Sequence, residues 1–211
     1  MMEREGILVV ISGFAGTGKG TVVKKLVETY DNYALSVSMT TRNPRPGEID
    51  GQSYFFVDKE TFEKKIAEDG FVEHACYCEN YYGTPKAYVE EMMRAGKDVI
   101  LEIEIQGALQ IKKQFPEALL LFMMAPSAQV LHERLVGRGT ETPEVVAKRM
   151  KRACEEAEGI EKYDFILVND EVDKCVLQAR NVIESAHLSP ARNKQFINKM
   201  RKDLEGFSKG E

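Results

Sequence analysis

A glycine-rich segment with one lysine is the clearest chemical motif of this 211-residue sequence. Residues 13–21 read GFAGTGKGT and lie between the apolar run from Ile7 to Ile11 and a stretch with helical periodicity. Glycines let several backbone N–H groups point at one anion where a helix begins, and the lysine adds positive charge. The segment predicts a loop that binds nucleotide phosphates, called the phosphate loop below. Its members are Gly13, Phe14, Ala15, Gly16, Thr17, Gly18, Lys19, Gly20 and Thr21.

The phosphate loop departs at one position from the usual G-x-x-x-x-G-K-[ST] pattern. Gly20 stands where a serine or threonine hydroxyl normally contacts magnesium, and Thr21 follows one residue later. We therefore expect magnesium to be held mainly by nucleotide phosphates and water, with Thr21 or an acidic residue outside the direct ligand set. The sequence assigns no protein ligand to a metal.

A second group of polar residues lies between positions 38 and 104. Arg42 and Arg45 are three apart in a loop stiffened by Pro44 and Pro46. A guanidinium donates two parallel hydrogen bonds to a phosphate, so the pair suits an anion, although this loop taken alone is better explained as a solvated turn with unrelated charges. The other candidates are Ser38, Tyr54, Glu73, Tyr82, Thr84, Glu102 and Glu104.

The elements that must position these residues alternate along the chain. Continuous apolar runs extend over Ile7 to Ile11, Val99 to Ile105, Ala118 to Ala125, and Phe165 to Val168. Runs of this kind, separated by helical segments, predict an α/β fold whose central parallel sheet is covered by helices on both faces. Ligands bind at the carboxyl ends of such strands, so Glu102 and Glu104 should face the cleft.

Residues 33–83 interrupt this alternation. A short aromatic strand from Ser53 to Val57 and a helix starting near Asp58 predict an inserted mixed α+β subdomain. The dipeptides Thr84-Pro85 and Thr142-Pro143 each offer a capping hydroxyl followed by proline, which predicts two further helix starts.

The composition limits the class of protein. Hydrophobic residues make up 43% and charged residues 30% of the chain, as in a globular domain. A net charge of −5 argues against a broad attraction to nucleic acid or anionic membrane. No apolar run has the length of a membrane span, and the opening residues MMEREGILVV lack the basic start of a secretion signal. We expect a cytoplasmic protein with neither partner, acting as a monomer or homodimer.

Taken in order, these motifs resemble the guanylate kinase family over residues 7 to about 187. The motifs that carry the resemblance are the phosphate loop, SVSMTTRNPRPGE, YFF, FVEHA, NYYGT, LEIEIQG, GRGTET and VND. The resemblance implies transfer of the γ-phosphoryl group of ATP to GMP, and also to dGMP, with Mg²⁺. It further implies one P-loop domain with a core at about 5–36, 97–126 and 157–207, a GMP-binding subdomain at about 37–89 and a helical lid at about 127–156.

The resemblance also implies roles for single residues. Glu73 would accept hydrogen bonds from guanine N1–H and the exocyclic amine, with Ser38 and Thr84 near the base. Arg42, Arg45, Tyr54 and Tyr82 would hold the GMP phosphate, although packing in the core explains the tyrosines equally well from sequence alone. Glu102 and Glu104 match positions where aspartates are commoner, so Glu102 would reach magnesium through water or orient an arginine.

The remaining assignments concern the charge that develops during transfer. Lys19, Arg42, Arg138 and Arg149 match the family's catalytic cations, and Asn169 matches a loop near the adenine of ATP. Arg134 and Arg152 are expected to be surface residues.

Two alternatives share some of these features. Another nucleoside monophosphate kinase would have the phosphate loop and lid but would not need Glu73 beside the arginine loop. A non-catalytic guanylate-kinase-like interaction module would have the inserted subdomain but not a working phosphate loop. The presence of Lys19 together with Arg42 and Arg45 favours the enzyme.

Overall fold

The computed structural model describes residues 5–77, 79–137 and 142–209, and this part of the chain contains nine strands and eight α-helices. In chain order they are β1 Leu8–Gly13, α1 Lys19–Thr29, β2 Tyr33–Leu35, β3 Met39–Thr40, β4 Phe55–Phe56, α2 Lys59–Ala67, β5 Phe71–Tyr77, β6 Asn80–Pro85, α3 Lys86–Arg94, β7 Asp98–Glu102, α4 Ile105–Gln114, β8 Leu119–Met124, α5 Ala128–Gly137, α6 Pro143–Ala157, β9 Phe165–Val168, α7 Val172–His187 and α8 Lys194–Lys209. Within these ranges no helix is both long enough and apolar enough to cross a bilayer.

The core is a parallel sheet of five strands in the order β2-β7-β1-β8-β9. Side chains alternate between its faces, since successive residues of a strand point to opposite sides. Val9 and Ile11 of β1 pack on the face covered by α1 and α7, whereas Leu8 and Val10 pack on the face covered by α3 and α4. The predicted α/β architecture with a helix-flanked parallel sheet is therefore confirmed.

The last apolar run differs from the expectation of a strand covered on both faces. Phe165, Ile166 and Val168 of β9 are 46%, 54% and 44% exposed. The reason is position, because β9 lies at one edge of the sheet and, among the described strands, pairs with β8 alone. Apolar composition predicted the strand, but it could not predict which strand lies at the edge.

A second, mixed sheet has the order β4-β3-β6-β5. Its β3–β4 pair is parallel, and its β3–β6 and β5–β6 pairs are antiparallel. Helix α2 covers it with the buried ring of Phe62, which stacks on Phe71 at 4.5 Å and on Tyr81 at 5.3 Å between ring centroids. The helix begins after Asp58, as predicted, and Asp58 Oδ1 accepts a hydrogen bond from the Thr61 N–H at 2.7 Å.

Two of the expected element boundaries need correction, and one is confirmed. Helix α6 starts at Pro143 after Thr142, as predicted, although the Thr142 side chain makes no capping hydrogen bond. Thr84, in contrast, belongs to β6, and α3 begins only after Pro85. The run from Val99 to Ile105 is a strand only as far as Glu102, because Glu104 is already the cap of α4.

Candidate functional site

The phosphate loop connects the end of β1 to the start of α1 at the centre of the parallel sheet. Two of its glycines are required by close contacts. A Cβ on Gly13 would lie 2.1 Å from the Met123 carbonyl oxygen, and one on Gly18 would lie 2.7 Å from Asn169 Nδ2. Gly18 also has a φ of 85°, a left-handed conformation that favours glycine. The loop is thus a backbone cradle at a helix N-terminus, the geometry that binds phosphate.

Lys19 lies over this cradle. Its Nζ donates hydrogen bonds to the carbonyl oxygens of Gly13, at 2.5 Å, and Phe14, at 3.3 Å. The Phe14 ring points away into the core, where its centroid lies 5.0 Å from that of Phe122. Phe14 therefore contributes its backbone to the loop, and Lys19 is held where an anion bound in the cradle would meet its charge.

Asn169 supports the loop from the turn after β9. Its Nδ2 donates to the Thr17 carbonyl at 2.7 Å, and the residue is only 3% exposed. Arg134 of α5 in turn donates from Nη1 to the Asn169 carbonyl at 2.8 Å. Arg134, expected to be a surface residue, is half-buried, and its guanidinium connects α5 to the turn that holds the loop.

Glu102 lies beside Gly20, where β7 ends. A Cβ on Gly20 would lie 3.6 Å from Glu102 Oε2 and 3.8 Å from Oε1. Although Glu102 is an exposed residue, the surrounding protein raises the pKa of its carboxyl by desolvation, an effect that the charge of Lys19 opposes and that of Glu104 reinforces. The carboxylate thus lies next to Gly20, the position at which the usual motif has a hydroxyl and this loop has none.

Glu104 is arranged differently from Glu102. It lies at the start of α4, and its Oε2 accepts a hydrogen bond from Arg152 Nη2 at 3.1 Å. Arg152 also donates from Nε to Glu156 Oε1 at 2.9 Å. Arg152 is therefore a surface residue, as expected, with a side chain that is 40% exposed and that bridges α6 and Glu104. Arg149 is half-buried on the same helix.

Of three further residues assigned from the sequence, two lie within the described ranges and one does not. Thr21 is exposed in the first turn of α1, and Ser38 is half-buried just before β3. Arg138, assigned to the lid, lies outside the described residues.

Arg42, Arg45, Tyr54 and Tyr82 form an arginine–tyrosine cluster on the second sheet. The Arg42 guanidinium carbon lies 5.2 Å from the centroid of the Tyr54 ring, and the Tyr54 and Tyr82 rings are 6.1 Å apart between centroids. Both tyrosines are half-buried, and burial raises the pKa of Tyr54. Arg45 is exposed. The cluster brings phenol groups and a guanidinium together in an arrangement that suits a phosphate.

Glu48 also belongs to this cluster, although the sequence analysis did not assign it. Its carboxylate takes a two-pronged hydrogen bond from Arg42, with Nη2–Oε1 and Nη1–Oε2 distances of 2.8 and 2.9 Å. The only sequence signal was its place in the segment PRPGE, which does not reveal the pairing.

Glu73 and Thr84 lie opposite each other on β5 and β6. The Thr84 hydroxyl donates to Glu73 Oε1 at 2.8 Å. Glu73 Oε2 lies above the first turn of α4, 3.0 Å from where a Cβ on Gly107 would be. Burial raises the pKa of Glu73, which is 6% exposed, and the hydrogen bond from Thr84 opposes that rise. The side chain and the backbone of Thr84 thus both hydrogen-bond to the Glu73 carboxylate.

Comparison with known proteins gives one consistent result. The sequence profile of the guanylate kinase family matches residues 5–186. The chain is 47% identical to a guanylate kinase of Oceanobacillus iheyensis, over 96% of this chain and 98% of that protein. It is 50% identical to one of Halalkalibacterium halodurans, over 90% of this chain and 94% of that protein.

A solved structure agrees with the sequence comparisons. The crystal structure of guanylate kinase from Anaplasma phagocytophilum is 30% identical to this chain and superposes with a TM-score of 0.74, covering 91% of this chain and 92% of that one. Its fold matches the helix-flanked parallel sheet with an inserted second sheet described above. This chain therefore belongs to the guanylate kinase family.

Proposed function

We propose that the protein transfers the γ-phosphoryl group of ATP to GMP, giving ADP and GDP, and that dGMP is a second acceptor. The observation that carries this proposal is the position of Glu102. Its carboxylate lies beside Gly20 of the phosphate loop, close enough to Lys19 to feel its charge, and its own charge acts on Tyr54 of the arginine–tyrosine cluster. From this position we infer that the two candidate phosphate sites face each other across one cleft, as transfer between two nucleotides requires.

The acceptor explains why the cleft needs no general base. The phosphate of GMP is largely dianionic at neutral pH, because the second pKa of a phosphate monoester lies near 6. Catalysis then consists of alignment and neutralisation of the charge on the transferred group. We assign these tasks to Lys19, Arg42 and Arg149, and to Arg138 beyond the described residues.

Selection of guanine is assigned to Glu73. Its two carboxylate oxygens are adjacent acceptors, each with two lone pairs, and they suit the N1–H and exocyclic amine of guanine. Adenine has no such pair of donors on its Watson–Crick edge. Ser38 and Thr84 complete the base site in this proposal.

The residues beside Gly20 fit magnesium, which prefers oxygen ligands. The Glu102 carboxylate lies against the place of the missing hydroxyl, and Thr21 follows on the exposed side of α1. When bound with ATP, the metal ion supplies positive charge to the phosphates. We propose that phosphate oxygens and water hold it, with Thr21 and Glu102 contributing through water.

The substitution Thr21→Ala tests this arrangement. We expect the Mg²⁺ concentration for half-maximal activity to change by less than about threefold, because a hydroxyl that acts through water contributes little compared with a direct ligand. Magnesium titrations at fixed ATP would measure it, with Thr29→Ala at the other end of α1 as the control. A shift of tenfold or more in Thr21→Ala alone would show that Thr21 is a direct ligand.

We propose that the subdomain at about 37–89 and the lid at about 127–156 close over the core at about 5–36, 97–126 and 157–207. A closed cleft excludes water, which would otherwise compete with GMP as the acceptor. Small-angle scattering should show a smaller radius of gyration only when GMP and a non-hydrolysable ATP analogue are both present. An unchanged radius with both ligands would contradict closure.

The proposed reaction is tested by measuring ADP formation in the presence of GMP, AMP, UMP or CMP. We expect turnover with GMP well above that with the other three. A preference for AMP would indicate another nucleoside monophosphate kinase, and the absence of any GMP-dependent ADP would indicate an interaction module.

We further propose a cytoplasmic location, where both nucleotides occur. We also propose that the protein is a monomer or a homodimer, two states that light scattering would distinguish.

A further inference from the structure

Hydrogen bonds to Glu48 and Asn43 use three of the donors of the Arg42 guanidinium. A guanidinium has five N–H donors, two on each terminal nitrogen and one on Nε. Glu48 accepts one from Nη1 at 2.9 Å and one from Nη2 at 2.8 Å, and the Asn43 carbonyl accepts from Nη1 at 2.7 Å. The Tyr82 hydroxyl also accepts a hydrogen bond from the guanidinium. The donors that the three bonds to Glu48 and Asn43 leave are Nε–H and the second N–H of Nη2. They lie on the same edge and form a second two-pronged fork.

The groups around Arg42 suit the binding of an anion at the edge that carries Nε–H. The hydroxyl of Tyr82 interacts with the guanidinium, and the ring of Tyr54 lies beside it. Glu48 also accepts a hydrogen bond from the backbone N–H of Arg45 at 2.7 Å, so one carboxylate fixes both ends of the loop that carries the two arginines. The side chains of Arg42 and Glu48 are only 14% and 21% exposed.

From this geometry we propose that Glu48 is a positioning residue, which binds one edge of Arg42 and thereby directs the other edge at the phosphate of GMP. The inference rests on the proposed function, because it names what makes the GMP site selective for a phosphate. The ion pair with Arg42 holds the pKa of Glu48 at about 2, so its carboxylate remains charged at any pH used for an assay.

A competing explanation makes the opposite prediction. If Glu48 occupied the edge of Arg42 that the phosphate needs, GMP would have to displace it, and Glu48 would act as an internal competitor. Removing Glu48 would then strengthen GMP binding. If Glu48 positions Arg42, its removal weakens GMP binding, because the guanidinium is free to turn away.

Calorimetric titration of the full chain with GMP and with guanosine separates these cases, since guanosine has the base but not the phosphate. For Glu48→Ala we expect the Kd of GMP to rise by about 10- to 30-fold, as is typical when a hydrogen bond to a charged group is lost. The Kd of guanosine should change less than about twofold, and Glu48→Asp should recover part of the GMP affinity. Glu60→Gln removes an exposed carboxylate from the same subdomain and is the matched control.

A double-mutant cycle then tests whether Glu48 acts through Arg42. In an Arg42→Ala background, Glu48→Ala should weaken GMP binding by no more than about twofold, because the residue it positions is already gone. Circular dichroism confirms that each variant is folded, and Glu48→Gln replaces Glu48→Ala if the latter is not. Tighter GMP binding, or an equal loss for guanosine, would overturn the positioning role. Wild-type protein that binds guanosine but not GMP would overturn the proposed function instead.

Discussion

Replacing Lys19 with alanine should lower kcat for GMP-dependent ADP formation by about a thousandfold or more, on the scale seen when a cation that stabilises phosphoryl transfer is removed. The ammonium lies over the backbone cradle, where it donates to the carbonyls of Gly13 and Phe14. It can therefore meet the charge of the transferred group without a large movement. The other cations assigned to the cleft lie on separate elements and cannot take its place.

The effect should be on kcat more than on stability. Lys24→Ala is the matched control, because Lys24 is on the same helix with a side chain that is 74% exposed and pairs only weakly with Glu28 at 3.8 Å. Steady-state assays and thermal melts of both variants would measure the two effects. Turnover of Lys19→Ala within tenfold of wild type, in a folded protein, would exclude Lys19 from the transfer step.

Short sequence patterns predicted the phosphate loop and two helix starts. The glycines and lysine of residues 13–21 indicated a backbone cradle, and the close approaches at Gly13 and Gly18 show why glycine is needed there. Asp58 and Pro143 marked helix starts because capping and fixed φ act within one turn. Such signals are contained in a few consecutive residues.

Pairings between distant residues were not predictable in the same way. Arg152 bonds Glu104 across 48 positions, and Arg134 bonds the carbonyl of Asn169 across 35. The sequence shows the charges but not the crossing of helices that brings them together. The exposure of β9 is a similar case, since its edge position follows from the order of strands in the sheet.

Replacing Glu73 with glutamine should raise the KM for GMP by about a hundredfold while the ligand-free protein becomes more stable. The amide keeps an acceptor for the Thr84 hydroxyl but presents an N–H₂ group where guanine also has a donor. Guanine would then lose one hydrogen bond and face an unpaired donor. Adenine would not meet this repulsion, so the preference for GMP over AMP should fall. Kinetics with both nucleotides would measure the change, with Glu68→Gln as an exposed control in the same subdomain.

The gain in stability follows from the raised pKa of Glu73. Below its pKa in the unfolded chain, the carboxyl is protonated in both states and burial costs nothing. As pH rises above the unfolded pKa, the carboxyl ionises freely in the unfolded chain but stays protonated in the folded protein. Above the higher folded pKa, the folded protein must hold a buried charge. The free energy of unfolding therefore falls between the two pKa values and stays lower above them. Glu73→Gln removes that charge and should raise Tm by about 2–4 °C at pH 7, with the difference vanishing near pH 4. Thermal melts at both pH values would measure it. A lower Tm at pH 7 for Glu73→Gln would mean that the contacts of the carboxylate outweigh its desolvation, and that Glu73 stabilises the fold as well as reading the base.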